Sequence, residues 1–239
     1  MSQSETLSKI APYLVLIVTA AACAYFAFEN PFPKTLAQVE IPLSLLNSSQ
    51  MANVERANKC LNAVTIKPGS TFSFNGTVGP RTVQSGYQEA NSFLQGDHSS
   101  SLGGGICVLS SGLYQLALKA GLKITSRSPH MYPVRTVSPG LDATVWYGQK
   151  DLSFQNNTNE ILRLRSSITG NKLNLSLDAA NFAKSLKPYR LLRHEQKWAD
   201  DHLRVEVFRS PDNKNWQLVS HDVYILPARA LQKPPSRHN

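Results

Sequence analysis

Three consecutive glycines lead directly into a cysteine in the stretch Gly103-Gly104-Gly105-Ile106-Cys107, and a helical pattern follows at once. Glycine tolerates the positive φ angles of a tight turn and leaves backbone N–H groups accessible. The N-terminus of a helix carries a partial positive charge, and a thiol placed there tends to have a lowered pKa. The stretch therefore predicts a tight turn, a helix that begins at Cys107, and a nucleophilic thiolate.

The helix pattern places the cysteine away from the predicted core. Apolar residues recur at helical spacing on one face, at Ile106, Leu109, Leu113, Leu116, Ala117 and Ala120. Cys107 lies on another face with Ser110, Ser111 and Tyr114, and Gly121 is at the position where a helix stops. Since cysteine is most often a small buried hydrophobic residue, a structural role for Cys107 stays open beside the catalytic one.

The charge of the chain argues against one class of partner. The 239 residues have a formal net charge of +9, but the basic residues form no run and do not alternate with aromatic ones. The pattern therefore predicts no nucleic-acid binding. A diffuse basic surface fits an anionic partner, such as a membrane surface or a cell-wall polymer, although a basic chain is also simply soluble.

The cysteine and histidine pattern predicts neither a disulfide framework nor a metal site. The three cysteines are an odd number, and only a Cys60–Cys107 bridge stays open as an alternative. The six histidines show no spacing typical of metal ligands. We therefore expect no metal and no cofactor.

An uncharged apolar stretch at residues 10–28 predicts a membrane segment. Its 19 residues are close to the number that crosses a bilayer as a helix, and aromatic residues end it. An uncleaved signal anchor is favoured over a cleavable signal peptide, and lipidation at Cys23 is a third alternative. We expect the chain to be anchored in the membrane through this stretch, with its folded part outside the cytoplasm.

The rest of the chain predicts an α+β fold, with a central helix beginning at Cys107 packed on short antiparallel strands. Alternating segments predict strands at residues 71–74, 122–126, 143–147 and 152–155, and residues 95–105 form a predicted loop. Turn residues predict hairpins around residues 169–171 and 210–215. The predicted domains are an anchor and linker at 1–33, a main domain at 34–182, and a hairpin extension at 183–239.

The order of several short motifs resembles the VanW family, over about half of the chain. The segments that carry the resemblance are Pro68-Gly-Ser-Thr-Phe-Ser-Phe-Asn75, Val78-Gly-Pro-Arg-Thr82, Gly86-Tyr-Gln-Glu-Ala90, Gly103-Gly-Gly-Ile-Cys107, Pro139-Gly-Leu-Asp-Ala-Thr-Val145 and Asp151-Leu-Ser-Phe-Gln-Asn-Asn-Thr158. This resemblance implies a bacterial envelope-associated protein, often anchored in the membrane. Two positions depart from the family pattern: Val108 stands where the family usually has Gln, and Met131 where it usually has Ser.

The same segment holds a set of residues suited to acyl transfer. Cys107, His130 and Asp142 occur in the order nucleophile, base and orienting carboxylate, which is similar to transglutaminase-like and papain-like enzymes. His98, beside Asp97, is a substitute base. We therefore predict an acyl transferase or amidase acting on cell-wall peptides.

Several further residues are predicted to bind the substrate. Backbone N–H groups around Gly105 to Cys107 would stabilise an oxyanion. Gly103, Gly104 and Gly105 are candidate binding residues, and Arg81 would meet an anionic group. Ser110 and Ser111 are also candidate binding residues. The alternative is a non-enzymatic module whose glycine-rich turn captures the carboxylate of a cell-wall peptide or an envelope partner.

Overall fold

Strands outnumber helices in the computed structural model, which describes residues 13, 15–19, 31–92, 99–180, 188–199 and 201–226. From residue 31 onward the elements are, in chain order, β1 (Lys34–Pro42), α1 (Ser48–Leu61), β2 (Thr65–Ile66), β3 (Thr71–Ser73), α2 (Phe74–Val78), β4 (Glu89–Ser92), β5 (Ser99–Leu102), α3 (Cys107–Lys119), β6 (Lys123–Ser126), β7 (Ser153–Gln155), β8 (Leu162–Thr169), β9 (Lys172–Ala179), β10 (Arg190–Ala199), β11 (His202–Ser210) and β12 (Gln217–Ile225). The predicted α+β class is confirmed.

Helix α3 occupies the middle of the fold. It begins at Cys107, as predicted, and its apolar side chains pack against β1 and β9. Gly112 brings the helix close to the sheet, because a Cβ atom there would lie 2.7 Å from Leu175 Cδ1. The helix ends at Lys119, and Gly121 follows with a φ of +73°, a conformation that favours glycine.

The largest sheet has the strand order β1-β9-β8-β2, with antiparallel neighbours throughout. Its β8–β9 hairpin was predicted, and the register pairs Thr169 with Lys172 across the Gly170-Asn171 turn. Strand β1 was not predicted. Its buried side chains Val39 and Ile41 alternate with exposed neighbours. This sheet forms one wall of the core under helix α3.

A second sheet, of order β10-β11-β12, follows near the C-terminus. Strands β11 and β12 confirm the predicted second hairpin, whereas β10 was not predicted. Val205, Val207 and Tyr224 from this sheet are buried in the same hydrophobic core as helix α3. The domain boundary expected between residues 182 and 183 falls within residues 181–187, outside the described residues, and stays a prediction.

Two local predictions are wrong. Residues 143–147 alternate like a strand, but their backbone bonds go elsewhere: Ala143 N–H donates to Ser111 Oγ and Thr144 N–H to the Ser128 carbonyl. Only an isolated bridge between Trp146 and Lys150 is present there. The predicted loop at 95–105 contains a strand, because β5 pairs antiparallel with β4.

The predicted membrane segment lies mostly outside the described residues. Of residues 10–28, the structure describes 13 and 15–19, which are helical. Within the described part of the chain, none of the helices combines the length and the apolar character needed to cross a bilayer.

Candidate functional site

Cys107 is the first residue of helix α3 and follows directly on the glycine turn. Gly103 and Gly105 have φ angles of +79° and +96°, so the turn uses the conformations that only glycine adopts readily. The thiol is partly buried, and Sγ lies 3.8 Å from the carbonyl oxygen of Val145. The chain therefore places a sulfur at the positive end of a helix.

Gly104 fixes the turn against strand β4. A Cβ atom at this position would lie 2.2 Å from the carbonyl oxygen of Ala90, which is backbone and cannot move aside. The buried Asn53 of α1 adds a cross-link: its Nδ2 donates to the carbonyls of Gln88 and Gly104 at 2.9 and 3.0 Å. Asn53 was missed as a site residue, although a polar residue on the buried face of an amphipathic helix is a usable signal.

His130 lies in an irregular segment and contacts Asp142 twice. Its backbone N–H donates to Asp142 Oδ2 at 2.7 Å, and its ring Nδ1 lies 2.6 Å from the same oxygen. Both side chains are buried. Since the carboxylate accepts a hydrogen bond from Nδ1, the other ring nitrogen, Nε2, is the one available to the thiol.

The second oxygen of Asp142 is bound by groups from other parts of the fold. Oδ1 accepts hydrogen bonds from the Tyr224 hydroxyl and from Arg127 Nη2, the latter at 3.2 Å. Burial alone would raise the pKa of Asp142, but the hydrogen bonds from His130 and the charge of Arg127 hold it below its usual range. Asp142 is thus a carboxylate under all ordinary conditions.

The thiol and the imidazole shift each other's pKa values. Burial alone would raise the pKa of Cys107, but a hydrogen bond to His130 and the charge of that ring lower it below 9.0. Burial alone would lower the pKa of His130, whereas hydrogen bonds to Asp142 and Cys107 raise it to about 9. Each group thus stabilises the charged form of the other, which favours a thiolate–imidazolium pair.

A cavity of about 360 Å³ opens onto this pair. Its size is within the range of small-molecule sites. Cys107 and His130 contribute to its wall together with the three glycines of the turn, and mostly apolar side chains complete it, among them Ile106, Val134, Val145, Trp146 and Tyr147. Val108, which departs from the family pattern, is buried and also lines the cavity, whereas Met131 is exposed.

Two backbone N–H groups beside the sulfur are available to a ligand. Gly104 N–H donates to the Ser101 carbonyl and Ile106 N–H to that of Gly103. Within the described residues, no protein acceptor binds the N–H of Gly105 or of Cys107. Such a pair of donors next to a nucleophile is suited to stabilise an oxyanion.

Arg81 also lines the cavity. Its Nη1 donates to Asn75 Oδ1 at 2.7 Å and to the Gly79 carbonyl at 2.9 Å, and its guanidinium lies over the rings of Phe74 and Tyr147. In the described part of the chain, its buried Nε and Nη2 have no hydrogen-bond partner. Burial lowers the pKa of Arg81, and its charge in turn lowers the pKa of Cys107.

Ser110 and Ser111 bind the backbone of Ala143, the residue that follows Asp142. The Ser110 hydroxyl donates to the Ala143 carbonyl at 2.7 Å, and Ser111 Oγ accepts from Ala143 N–H at 3.0 Å. Both are buried and absent from the cavity wall. Their hydroxyls therefore fix the backbone next to Asp142.

Two further alternatives from the sequence are the Cys60–Cys107 bridge and the substitute base His98. Cys60 is exposed and, like Cys107, is a free thiol, so the Cys60–Cys107 bridge is not formed. His98 and Asp97, the substitute base and its neighbour, lie outside the described residues, as does Cys23. Arg127 and Tyr224 were not predicted, because 15 and 82 residues separate them from Asp142 and no motif marks them.

The chain is similar to known bacterial proteins. It is 37% identical over 139 residues to the uncharacterized protein YoaR of Bacillus subtilis (strain 168), a match covering 58% of this chain and 46% of that protein. It is 32% identical over 119 residues to the vancomycin B-type resistance protein VanW of Enterococcus faecalis (strain ATCC 700802 / V583), covering 48% of this chain and 43% of that protein. The chain thus spans less than half the length of these curated relatives.

The similarity to transglutaminase-like and papain-like enzymes stays a prediction that rests on the order of Cys107, His130 and Asp142. No solved structure gives a significant match to this chain.

The family described as VanW like protein matches residues 49–177, more than half of the chain. The matched stretch contains Arg81, the glycine turn and the three residues of the site, whereas Tyr224 lies beyond it. The chain belongs to the family of VanW-like proteins.

Proposed function

We propose that this chain is a cysteine-dependent acyl-transfer enzyme, an amidase or acyl transferase, that acts on a peptide of the cell envelope. The observation that carries the proposal is the double contact of His130 with Asp142, at 2.7 and 2.6 Å, next to a thiol of lowered pKa that lines a cavity. A nucleophile, a base and an orienting carboxylate in this arrangement are the minimum that thiol-based acyl transfer needs.

In the first half of the proposed reaction, the Cys107 thiolate attacks the carbonyl carbon of the substrate amide. A C–S bond forms, and the carbonyl oxygen takes the negative charge, which the N–H groups of Gly105 and Cys107 stabilise. The C–N bond then breaks, and the leaving amine takes a proton from His130 Nε2. The products are a thioester on Cys107 and a free amine.

In the second half, water or an acceptor amine attacks the thioester carbon while His130 accepts its proton. The C–S bond breaks, and the thiolate is restored beside an imidazolium. Asp142 stabilises that imidazolium in both halves through its short contact with Nδ1. Water as acceptor gives hydrolysis, and an amine gives transfer.

The choice of an envelope peptide is supported by sequence. One relative is named a vancomycin B-type resistance protein. The uncharged residues 10–28 favour a chain anchored in the membrane with its folded part outside the cytoplasm. Reporter fusions to the C-terminus test this location: a reporter active only outside the cytoplasm should be active, and a cytoplasmic signal would contradict it.

The enzymatic proposal is tested with the full chain and a digest of bacterial peptidoglycan, analysed by liquid chromatography and mass spectrometry. We expect the wild type and Cys60→Ala, which removes the exposed thiol, to convert muropeptides at equal rates. Cys107→Ala and His130→Gln should both abolish conversion. Conversion by Cys107→Ala at the wild-type rate would falsify the proposal.

A second candidate function is a non-enzymatic module that binds a peptide carboxylate at the glycine turn. The observation that favours it is Val108, an apolar cavity residue where an amide side chain would supply a further donor. Under this alternative, Cys107→Ser keeps peptide affinity in isothermal titration calorimetry, no conversion is detected, and Gly104→Val abolishes binding.

A further inference from the structure

The C-terminal sheet contacts the carboxylate of the candidate triad directly. Asp142 Oδ2 is bound by two groups of His130, its backbone N–H and its ring Nδ1. Asp142 Oδ1 is bound instead by the Tyr224 hydroxyl of strand β12 and by Arg127 Nη2. The two oxygens therefore have different tasks. One orients the imidazole, and the other is held by groups that do not touch the thiol.

Arg127 depends on the same strand for its own position. Its Nη1 donates to Asp222 Oδ1 at 2.5 Å, its Nε donates to the backbone carbonyl of Asp142 at 2.7 Å, and its guanidinium lies over the Tyr114 ring. The side chains of Arg127 and Asp222 are both only 6% exposed. In this setting Asp222 fixes the donor that binds Asp142.

Tyr224 also fixes the turn that leads into Asp142. Its fully buried hydroxyl accepts the Gly140 N–H at 2.6 Å while it donates to Asp142. The same turn packs on strand β11, because a Cβ atom at Gly140 would lie 2.7 Å from Val205 Cγ1 and 2.8 Å from Val207 Cγ2. Side chain and backbone of the Asp142 segment are therefore both held by the sheet.

We infer that the sheet β10–β12 is a positioning element of the active site, in which Tyr224 and the Arg127–Asp222 pair fix the Asp142 carboxylate for His130. The inference rests on the proposed function, since it assigns a role within the same site. Two of its residues, Asp222 and Tyr224, lie beyond the stretch shared with the family, which ends at residue 177. Tyr224, Arg127 and Asp222 are positioning residues, because none of them lines the cavity beside Cys107.

The matched variants are Tyr224→Phe, Asp222→Asn and His221→Gln. The first two change one polar group each and keep the side-chain shape. His221 is the control, because it directly precedes Asp222 in the strand but is exposed on the opposite face. The Tyr224 hydrogen bond lowers the pKa of Asp142, so its loss moves protonation of that carboxylate to higher pH.

The first measurement is the rate of Cys107 alkylation by iodoacetamide in the full chain, between about pH 4 and pH 10, resolved by peptide mass spectrometry. We expect Tyr224→Phe to lower the alkylation rate about three- to tenfold at neutral pH. The pH at which the rate begins to rise should increase by about one unit. Asp222→Asn should act in the same direction, and His221→Gln should leave the profile unchanged. A profile identical to wild type in both inner variants would overturn the inference.

The second measurement separates this inference from the proposed function. The proton between His130 Nδ1 and Asp142 Oδ2 should give a proton NMR signal at very low field, which reports the position of the ring whether or not the thiol reacts. We expect the signal in wild type and His221→Gln and its loss in Tyr224→Phe. If wild-type Cys107 is inert, the proposed function fails, and persistence of this signal in Tyr224→Phe would overturn the positioning role independently.

Discussion

Asp142 binds the backbone N–H and the ring Nδ1 of His130 through a single oxygen, Oδ2. The bond to the backbone N–H fixes the path of the chain at His130, and the bond to Nδ1 fixes the rotation of the imidazole ring. The imidazole is therefore preorganised, and its orientation requires no rearrangement when a substrate enters.

Replacing His130 with glutamine should change the pH at which Cys107 becomes reactive. Burial alone would raise the pKa of the wild-type thiol, but the hydrogen bond and charge of His130, together with smaller effects of Val145 and Arg81, hold it below 9.0. Without the imidazole, burial is opposed by fewer groups, and the pKa of the thiol should rise. Alkylation at pH 7 should then fall by about tenfold or more. The rate is read from the pH profile of iodoacetamide labelling, with exposed His221→Gln as the control.

Replacing Asp142 with asparagine should destabilise the protein strongly. The change leaves buried Arg127 without one of its anionic partners and places an amide against both His130 donors. Removing one member of such a buried network typically costs about 3–5 kcal/mol of unfolding free energy. Urea denaturation measures the loss. The exposed Asp201 offers the matched control, and Asp201→Asn should change stability by less than about 0.5 kcal/mol.

The same carboxylate should appear in the acid stability of the wild type. The folded-state pKa of Asp142 lies below its ordinary value of 3.8, so its contribution is present above pH 3.8 and is lost as the pH falls through the lowered value. We expect the free-energy difference between wild type and Asp142→Asn to narrow as the pH falls below about 4. A difference that is constant throughout acid unfolding would contradict the assignment.

The residues near Cys107 could be predicted because their signals are local. A glycine run before an amphipathic pattern marks the start of α3, and the residue types of His130 and Asp142 suggest a base and its orienting acid. Strand β10 has no such signal, since most of its side chains are exposed and show no apolar alternation. It forms because β11 offers it a hydrogen-bonding edge.

Long-range contacts account for the site residues that were not predicted. Tyr224 reaches Asp142 across 82 positions, and Asp222 reaches Arg127 across 95, through the register of β11 and β12. A single sequence does not contain that register. The same reason explains the wrong strand at residues 143–147, whose backbone is bound by Ser111 and Ser128 rather than by a neighbouring strand.

Replacing Arg81 with glutamine should reduce the reactivity of Cys107 without abolishing it. The positive charge of Arg81 lowers the pKa of the thiol, but it acts after the larger effects of burial and His130. Alkylation by iodoacetamide at pH 7 should fall about threefold. Arg135 is exposed in the segment that also contributes to the cavity wall, so Arg135→Gln removes an equal charge and should have no such effect. Equal rates in the two variants would show that Arg81 acts only through the net charge.

The glycine turn offers a prediction that separates packing from backbone strain. A Cβ atom at Gly104 would lie 2.2, 2.7 and 2.8 Å from backbone atoms of Ala90 and Asn91, so Gly104→Ala forces strand β4 away from the turn. Overpacking against an immobile backbone should cost about 3 kcal/mol or more and slow Cys107 alkylation, since the turn positions that residue.

Gly148 is the control: its φ of +79° disfavours alanine, yet a Cβ there meets nothing within 4 Å. Gly148→Ala should cost about 1–2 kcal/mol and leave the alkylation rate unchanged. Urea denaturation measures the loss of stability, and iodoacetamide labelling measures the reactivity of Cys107. Equal losses of stability in the two variants would mean that the close approach to Ala90 does not constrain the site.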